Sequence, residues 1–160
     1  MPEAQASDVL AECCGASRWV SKMLARRPFS SRAAILSTAD EVWRSLDPSD
    51  WREAFSHHPR IGERKSAVPQ SERGRAWAAG EQSGVERAHD DVREALATVN
   101  REYERRFGYI YIVFATGKSA EEMLALARAR LRNDPDVELP AAAEEQRKIT
   151  RVRLEKLLDP

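Results

Sequence analysis

Phe107-Gly108-Tyr109-Ile110-Tyr111-Ile112-Val113-Phe114-Ala115 is the most apolar run of the chain, and its aromatic and β-branched residues taken alone spell a buried strand. A strand needs a partner, and no second segment of comparable quality exists to pair with it. Read instead as extended chain packed between helices, the run makes the protein all-α. That reading carries an obligation: backbone N–H and C=O groups buried outside regular structure must find partners elsewhere, and a polar ligand is one such partner.

Outward from this run, the sequence is helical on both sides. Val85, Ala88, Val92, Leu96, Val99, Tyr103 and Phe107 recur at three- and four-residue spacing, which predicts the longest helix from about Val85 to Arg106. Thr116-Gly117-Lys118-Ser119 leads into a helix from Ala120 to about Arg132, acidic first and basic last, and Asn133-Asp134-Pro135 stops it. A final helix is expected from about Ala141 to Leu158, with Ile149, Val152 and Leu157 as its buried stripe. Towards the N-terminus, Ser7 and Asp8 are candidate caps of a short first helix that Gly15 ends. Ser17 starts a second helix around Trp19, Val20, Met23 and Leu24, and Ser30 or Ser31 caps a third with Ile35, Ala39, Val42 and Leu46 buried. Asp47-Pro48-Ser49-Asp50 starts a short helix through Phe55. A polar, ordered loop follows Gly62 up to about Ser71, then a weak helix to Ala79, interrupted by Gly80-Glu81-Gln82-Ser83-Gly84. The sum is one compact all-α domain over 1–160, of seven or eight helices with one extended segment near 108–115.

Composition narrows the function classes. Lys+Arg and Asp+Glu are both 26, so the net charge is zero and gives no global pull towards nucleic acid or an anionic membrane. The arginine-rich patches 101–106 and 128–132 are interleaved with acids or matched to helix ends and read as solvated faces. No apolar run approaches a membrane span, and the N-terminus lacks a signal pattern. Cys13 and Cys14 are adjacent and cannot frame a disulfide scaffold, which suits a reducing cytoplasm; the terminal Leu157-Leu158-Asp159-Pro160 is not a peroxisomal address of the Ser-Lys-Leu kind.

The ionisable candidates outside plain solvated faces are His57, His58, Glu63, Glu81 and His89. His57-His58-Pro59 is the sharpest of them. Proline pushes the residue before it out of the α region, so His58 is expected at a helix end, its ring projecting from extended backbone. Local pattern alone is equally compatible with two surface histidines in a polar turn. No His-x-x-x-His, His-Glu-x-x-His or Cys-x-x-Cys spacing points to a metal, and Thr116-Gly117-Lys118-Ser119 lacks the upstream glycine of a phosphate loop. What remains is a cofactor-free acid/base site built on His58, whose ordinary pKa lets it take and give a proton near neutrality. Glu81 reads first as an ordinary acidic residue at a helix N-terminus, and second as a carboxylate able to orient the imidazole or bind a ureido or amide group.

Taken in order, His58-Pro59-Arg60-Ile61-Gly62, Glu81-Gln82-Ser83-Gly84, Asn100-Arg101-Glu102-Tyr103 with Phe107-Gly108-Tyr109, and Arg130-Leu131-Arg132-Asn133 resemble the OHCU decarboxylases, the 2-oxo-4-hydroxy-4-carboxy-5-ureidoimidazoline decarboxylases of urate breakdown. Cys14-Gly15, Trp19 and Arg27-Pro28-Phe29 look like that family's N-terminal pattern, and Lys148-Ile149 with Arg153-Leu154 like its C-terminal one. The resemblance implies a helical homodimer with no metal or organic cofactor, acting on a small molecule to give S-allantoin. It implies His58 as catalytic acid/base with Glu81 beside it, and substrate contacts from Pro59, the position of Ala78, Glu81, Gln82, and backbone at Tyr111, Ile112, Val113, Phe114 and Ala115. Two departures stand out: Ala78 occupies a position where the family often has serine, and Tyr109-Ile110-Tyr111 replaces an often Phe-rich segment. The rival readings are a metal-dependent amidohydrolase using His57, His58 and Glu81, and a non-catalytic helical partner of purine-catabolic enzymes.

Overall fold

The longest helix forms where proline, then acid, opens a run that stays helical for 24 residues. It is α9 (Pro135–Leu158), with Pro135 in the first turn and Asp136 and Glu138 at its positive end. The computed structural model describes residues 1–63 and 69–159, and among them nine helices. The others are α1 (Glu3–Cys13), α2 (Ser17–Ala25), α3 (Arg32–Arg44), α4 (Pro48–Ser56), α5 (Glu72–Glu81), α6 (Ser83–Glu86), α7 (Asp90–Phe107) and α8 (Ala120–Arg130). α9 packs against α1, α3 and α4; α7 pairs with α8; α2 bridges α1, α3 and α4; and α5 rests on α1.

Buried indoles tie these layers together by donating to helix carbonyls. Trp19 Nε1 donates to Ala39 O at 3.2 Å and Trp43 Nε1 to Ala143 O at 2.9 Å, while the half-buried Trp51 donates to Trp43 O at 3.1 Å. Each bond satisfies the one polar atom of a large apolar ring, so the ring can be buried without an unpaired donor.

Several sequence expectations shift. The first helix begins at Glu3, upstream of Ser7 and Asp8. Ser31, not Ser30, caps α3, its hydroxyl accepting from Ala34 N–H at 3.0 Å. The helix expected from Val85 is divided: Val85 belongs to the short α6, and α7 starts at Asp90, making α9 the longest. α9 begins at Pro135 and carries Pro140 inside its second turn, where the ring is solvent-exposed; proline there costs one backbone hydrogen bond near a helix end and does not stop it. Its buried residues are Glu138, Ala142, Ala143, Gln146, Ile149, Thr150, Arg153 and Leu154, whereas Val152 and Leu157 are half-buried. The polar loop expected after Gly62 falls largely on 64–68, outside the described residues.

The run that decides the class is extended, and no strand occurs among the described residues. Gly108, in the left-handed region at φ 82°, ends α7 and turns the chain into it, as a helix C-terminal glycine commonly does. Tyr109, Tyr111, Ile112, Val113 and Ala115 are buried. Part of the backbone obligation is met by side chains of α8 and α9. Arg130 Nη1 donates to Ile112 O at 2.6 Å, and Phe114 N–H donates to Glu145 Oε1 at 3.2 Å. The N–H groups of Ile112, Val113 and Ala115 have no hydrogen-bond partner among the described residues.

Just past the run, α6 packs against the backbone at Lys118. A Cβ on Gly84 would lie 2.4 Å from the carbonyl oxygen of Lys118, a fixed backbone atom. Gly84→Ala is therefore expected to push α6 off the segment and lower stability by about 1–3 kcal/mol, seen as a lower urea midpoint with an unchanged slope.

Candidate active site

α4 aims His58. Asp47 caps its start through a capping box with Asp50, and His57 forms its C-terminal cap at φ −85°, ψ −1°. Pro59 then excludes helical backbone at His58, and the His58 ring turns inward, buried to 9% exposure. His57 goes the other way and packs on Gly15, whose missing side chain makes the room: a Cβ there would sit 2.3 Å from the His57 ring. The two adjacent histidines are thus separated into one buried and one half-buried ring.

His58, Pro59, Ile61, Ala78, Glu81, Gln82, Tyr111, Ile112, Val113, Ala115 and Ile149 line one small cavity of about 20 Å³. Nearly every residue singled out in the sequence lies on its wall. Phe114 is the exception: its N–H goes to Glu145 and its C=O accepts from Lys118 Nζ at 2.7 Å. Ile61 and Ile149 are additions. A larger cleft of about 1020 Å³ shares Pro59, Ile61, Ala78 and Gln82 with this cavity. A ligand larger than water needs that shared wall to yield. Gln82 has the most rotamer freedom of the four, and its Oε1 accepts from Gly62 N–H at 2.9 Å.

The polar groups behind the wall come from α9. His58 Nε2 and Gln146 Oε1 are 2.7 Å apart, and Gln146 Nε2 donates to Thr150 Oγ1 at 3.1 Å. Burial, then the Arg153 charge, lower the His58 pKa from 6.5 to about 3 against the upward pull of the Gln146 hydrogen bond, so the ring is neutral at neutral pH. Glu81 is the last residue of α5, where the helix dipole disfavours a carboxylate, which replaces the expectation of an acidic residue at a helix N-terminus. Gly80 does not interrupt the helix, so the junction falls at Gln82.

Arg153 holds Glu81 there. Its Nε and Nη2 donate to the two Glu81 oxygens at 2.9 and 3.1 Å, and its Nη1 donates to Glu12 O at 3.2 Å. Bidentate pairing between side chains this buried fixes the carboxylate in one orientation on the cavity wall. The hydrogen bond to the imidazole is made by Gln146 and not, as one expectation had it, by Glu81. Gln146 and Arg153 were missed as site residues. Arg153 appeared in the C-terminal pattern, but neither has a local signal, because only the fold brings α9 beside α4 and α5.

A second buried network supports the cavity from outside. Glu138, fully buried, accepts from Arg130 Nε at 2.8 Å, from Asn133 Nδ2 at 2.9 Å and from the Tyr103 hydroxyl, while Arg130 also grips Ile112 O. The Asn100–Tyr103 and Arg130–Asn133 motifs meet here: Asn100 Nδ2 donates to Ile61 O at 3.0 Å, fixing the opposite wall. Of the remaining candidates, His89 precedes α7 and is exposed, and Glu63 is exposed and paired with Arg60. Among the described residues no three His, Cys, Asp or Glu side chains converge as a metal donor set.

The OHCU decarboxylase family matches residues 1–155. The chain is 36% identical over 145 residues to the uric acid degradation bifunctional protein TTL of Arabidopsis thaliana, an alignment covering 91% of this chain and 45% of that protein. It is 25% identical over 154 residues to the 2-oxo-4-hydroxy-4-carboxy-5-ureidoimidazoline decarboxylase of Halalkalicoccus jeotgali, covering 96% and 85%. The fold superposes on a crystal structure of an OHCU decarboxylase determined in the presence of (S)-allantoin with a TM-score of 0.81 at 35% identity, over 96% of this chain and 99% of that one. The chain thus spans less than half of the bifunctional plant relative and nearly all of the solved decarboxylase. A match over almost its whole length, on a helical fold with one extended segment, makes this chain a member of the OHCU decarboxylase family.

Proposed function

We propose that the chain, acting as one domain, decarboxylates 2-oxo-4-hydroxy-4-carboxy-5-ureidoimidazoline to (S)-allantoin in urate catabolism. The observation that carries the reading is the one cavity lined by His58, Glu81, Gln82 and by Ile112, Val113 and Ala115, whose backbone N–H groups have no partner among the described residues, in a chain that matches the family over residues 1–155.

The chemistry asks for little more than these groups. Breaking the bond to the carboxylate releases CO2 and pushes an electron pair into the adjoining C=N bond of the ring, so no electron-sink cofactor is required. The pair ends on the ring nitrogen, which takes up from solvent the one proton gained in exchange for the carboxylate. A second proton moves from the ring hydroxyl, which becomes a carbonyl, to the neighbouring carbon, and must arrive there on one face for one hand of product. A neutral His58 serves first as base, taking the proton of the ring hydroxyl, and then as acid, returning a proton to carbon. The wall of Ile61, Tyr111, Val113 and Ile149 favours departure of the carboxylate as neutral gas, and the free backbone N–H groups are donors for charge developing on the ring. Glu81, held by Arg153, accepts from ureido N–H groups, and Gln82 completes the contacts. Ala78 gives that part of the wall a methyl group in place of the serine hydroxyl that the resemblance implies.

The resemblance extends the reading to a homodimer without cofactor, and the free Cys13 and Cys14 extend it to a reducing cytoplasm. Zero net charge agrees with a small-molecule substrate, and among the described residues no helix is long and apolar enough to cross a membrane. The test is the ultraviolet absorbance of freshly generated substrate. The expected result is decay that accelerates in proportion to added protein and is unchanged by prior chelation; decay at the spontaneous rate at every protein concentration would refute the proposal.

A further inference from the structure

We propose that Gln146 is a positioning residue that fixes the tautomer of His58, holding Nε2–H so that Nδ1 keeps the lone pair that carries the proton. The inference rests on the assignment of proton transfer to His58.

Three observations support it. The first is direction. Gln146 Nε2 donates to the Thr150 hydroxyl oxygen at 3.1 Å. That bond turns the Gln146 amide so that its carbonyl faces the imidazole. A carbonyl oxygen can only accept, so at 2.7 Å the ring nitrogen opposite it is protonated. The second is enclosure: Gln146 is fully buried, closed off from bulk solvent. The third is the other nitrogen, because Nδ1 has no hydrogen-bond partner among the described residues. Neutral imidazole carries one N–H, so fixing it on Nε2 leaves Nδ1 as the base.

The charges around this ring are few. Arg153 reaches it from α9, itself neutralised by Glu81 from α5, and His57 adjoins it in sequence; both Arg153 and His57 oppose a positive imidazole. Gln146 contributes a dipole and no charge. Replacing it by a carboxylate therefore separates two properties, because glutamate keeps the acceptor and adds an opposing charge.

Gln146→Leu, close in length and apolar, removes the acceptor. Its kcat is expected to fall roughly 10–100-fold, with KM changed by less than about threefold. Gln146→Glu should regain much of that kcat at neutral and higher pH, and its acidic limb of kcat/KM should lie about 1–3 pH units above that of the wild type, because the carboxylate favours the imidazolium. Thr150→Val, which frees the amide to turn over, should fall between wild type and Gln146→Leu. Far-ultraviolet circular dichroism checks that each variant is folded. A folded Gln146→Leu with wild-type kcat would overturn the inference, as would a folded Gln146→Glu as slow as Gln146→Leu with an unmoved limb. Full turnover in His58→Asn would instead overturn the underlying assignment, so the two failures are distinguishable.

Discussion

His58→Asn is expected to bring substrate turnover down to the spontaneous rate while leaving the fold intact. Asparagine is small enough for the same pocket and can still bond Gln146, but it cannot take up or release a proton near neutrality. General acid–base groups contribute about 10²–10⁴-fold in rate, and no other described residue on the cavity wall is a histidine. The substitution has a second readout in stability. His58 binds a proton less readily folded than unfolded, with pKa lowered from 6.5 to about 3. Its contribution to stability is therefore complete above about pH 6.5 and is lost as pH falls through the folded value near 3. In His58→Asn that component disappears. Urea midpoints of variant and wild type should accordingly converge, or cross in the variant's favour, as pH is lowered across this window. A gap that stays constant with pH would show that His58 is not buried in its neutral form.

Glu138→Ala is expected to lower stability by about 3–5 kcal/mol, the cost of leaving a buried charge without its partner. Glu138 is fully buried; Arg130 is 12% exposed in its side chain, and removing the carboxylate strands that guanidinium together with the Tyr103 hydroxyl and the Asn133 amide. The exposed pair Arg26–Glu41 sets the contrast, with side chains 52% and 64% exposed. Glu41→Ala should change stability by no more than about 1 kcal/mol. Because Arg130 also holds Ile112 O, Glu138→Ala should in addition loosen the extended segment and depress turnover. Equal urea midpoints for Glu138→Ala and Glu41→Ala would contradict this description of the network.

The all-α class was legible in the sequence because the one strand-like run, 107–115, had no partner. Chain extended between helices was the remaining option, and Arg130 and Glu145 supply the side-chain partners it needed. The buried face of α9 was not legible. Four of its eight buried residues are polar or charged, namely Glu138, Gln146, Thr150 and Arg153, so hydrophobic periodicity pointed instead to Val152 and Leu157. Those four residues are buried in hydrogen-bonded networks beside the cavity, and hydropathy is a poor guide where a helix contributes polar groups to its own core. The same cause misplaced Glu81. Glycines on both sides suggested a gap between helices, yet α5 runs through Gly80, and the carboxylate at its unfavourable end is stabilised by an arginine 72 residues away. His58 was legible because its signal is local: a proline fixes the backbone of the residue before it. Gln146 and Arg153 depend on the docking of α9 against α4 and α1, which no local pattern encodes.

The most direct measurement is circular dichroism of freshly generated 2-oxo-4-hydroxy-4-carboxy-5-ureidoimidazoline, followed with wild-type protein, with His58→Asn, and with neither. The substrate decays unaided to racemic allantoin, so only an enzyme gives one hand quickly. The expected result is rapid appearance of the (S)-allantoin signal with the wild type alone, and a slow, optically inactive decay in the other two. A wild-type trace matching the protein-free trace would contradict the assignment of this cavity to decarboxylation.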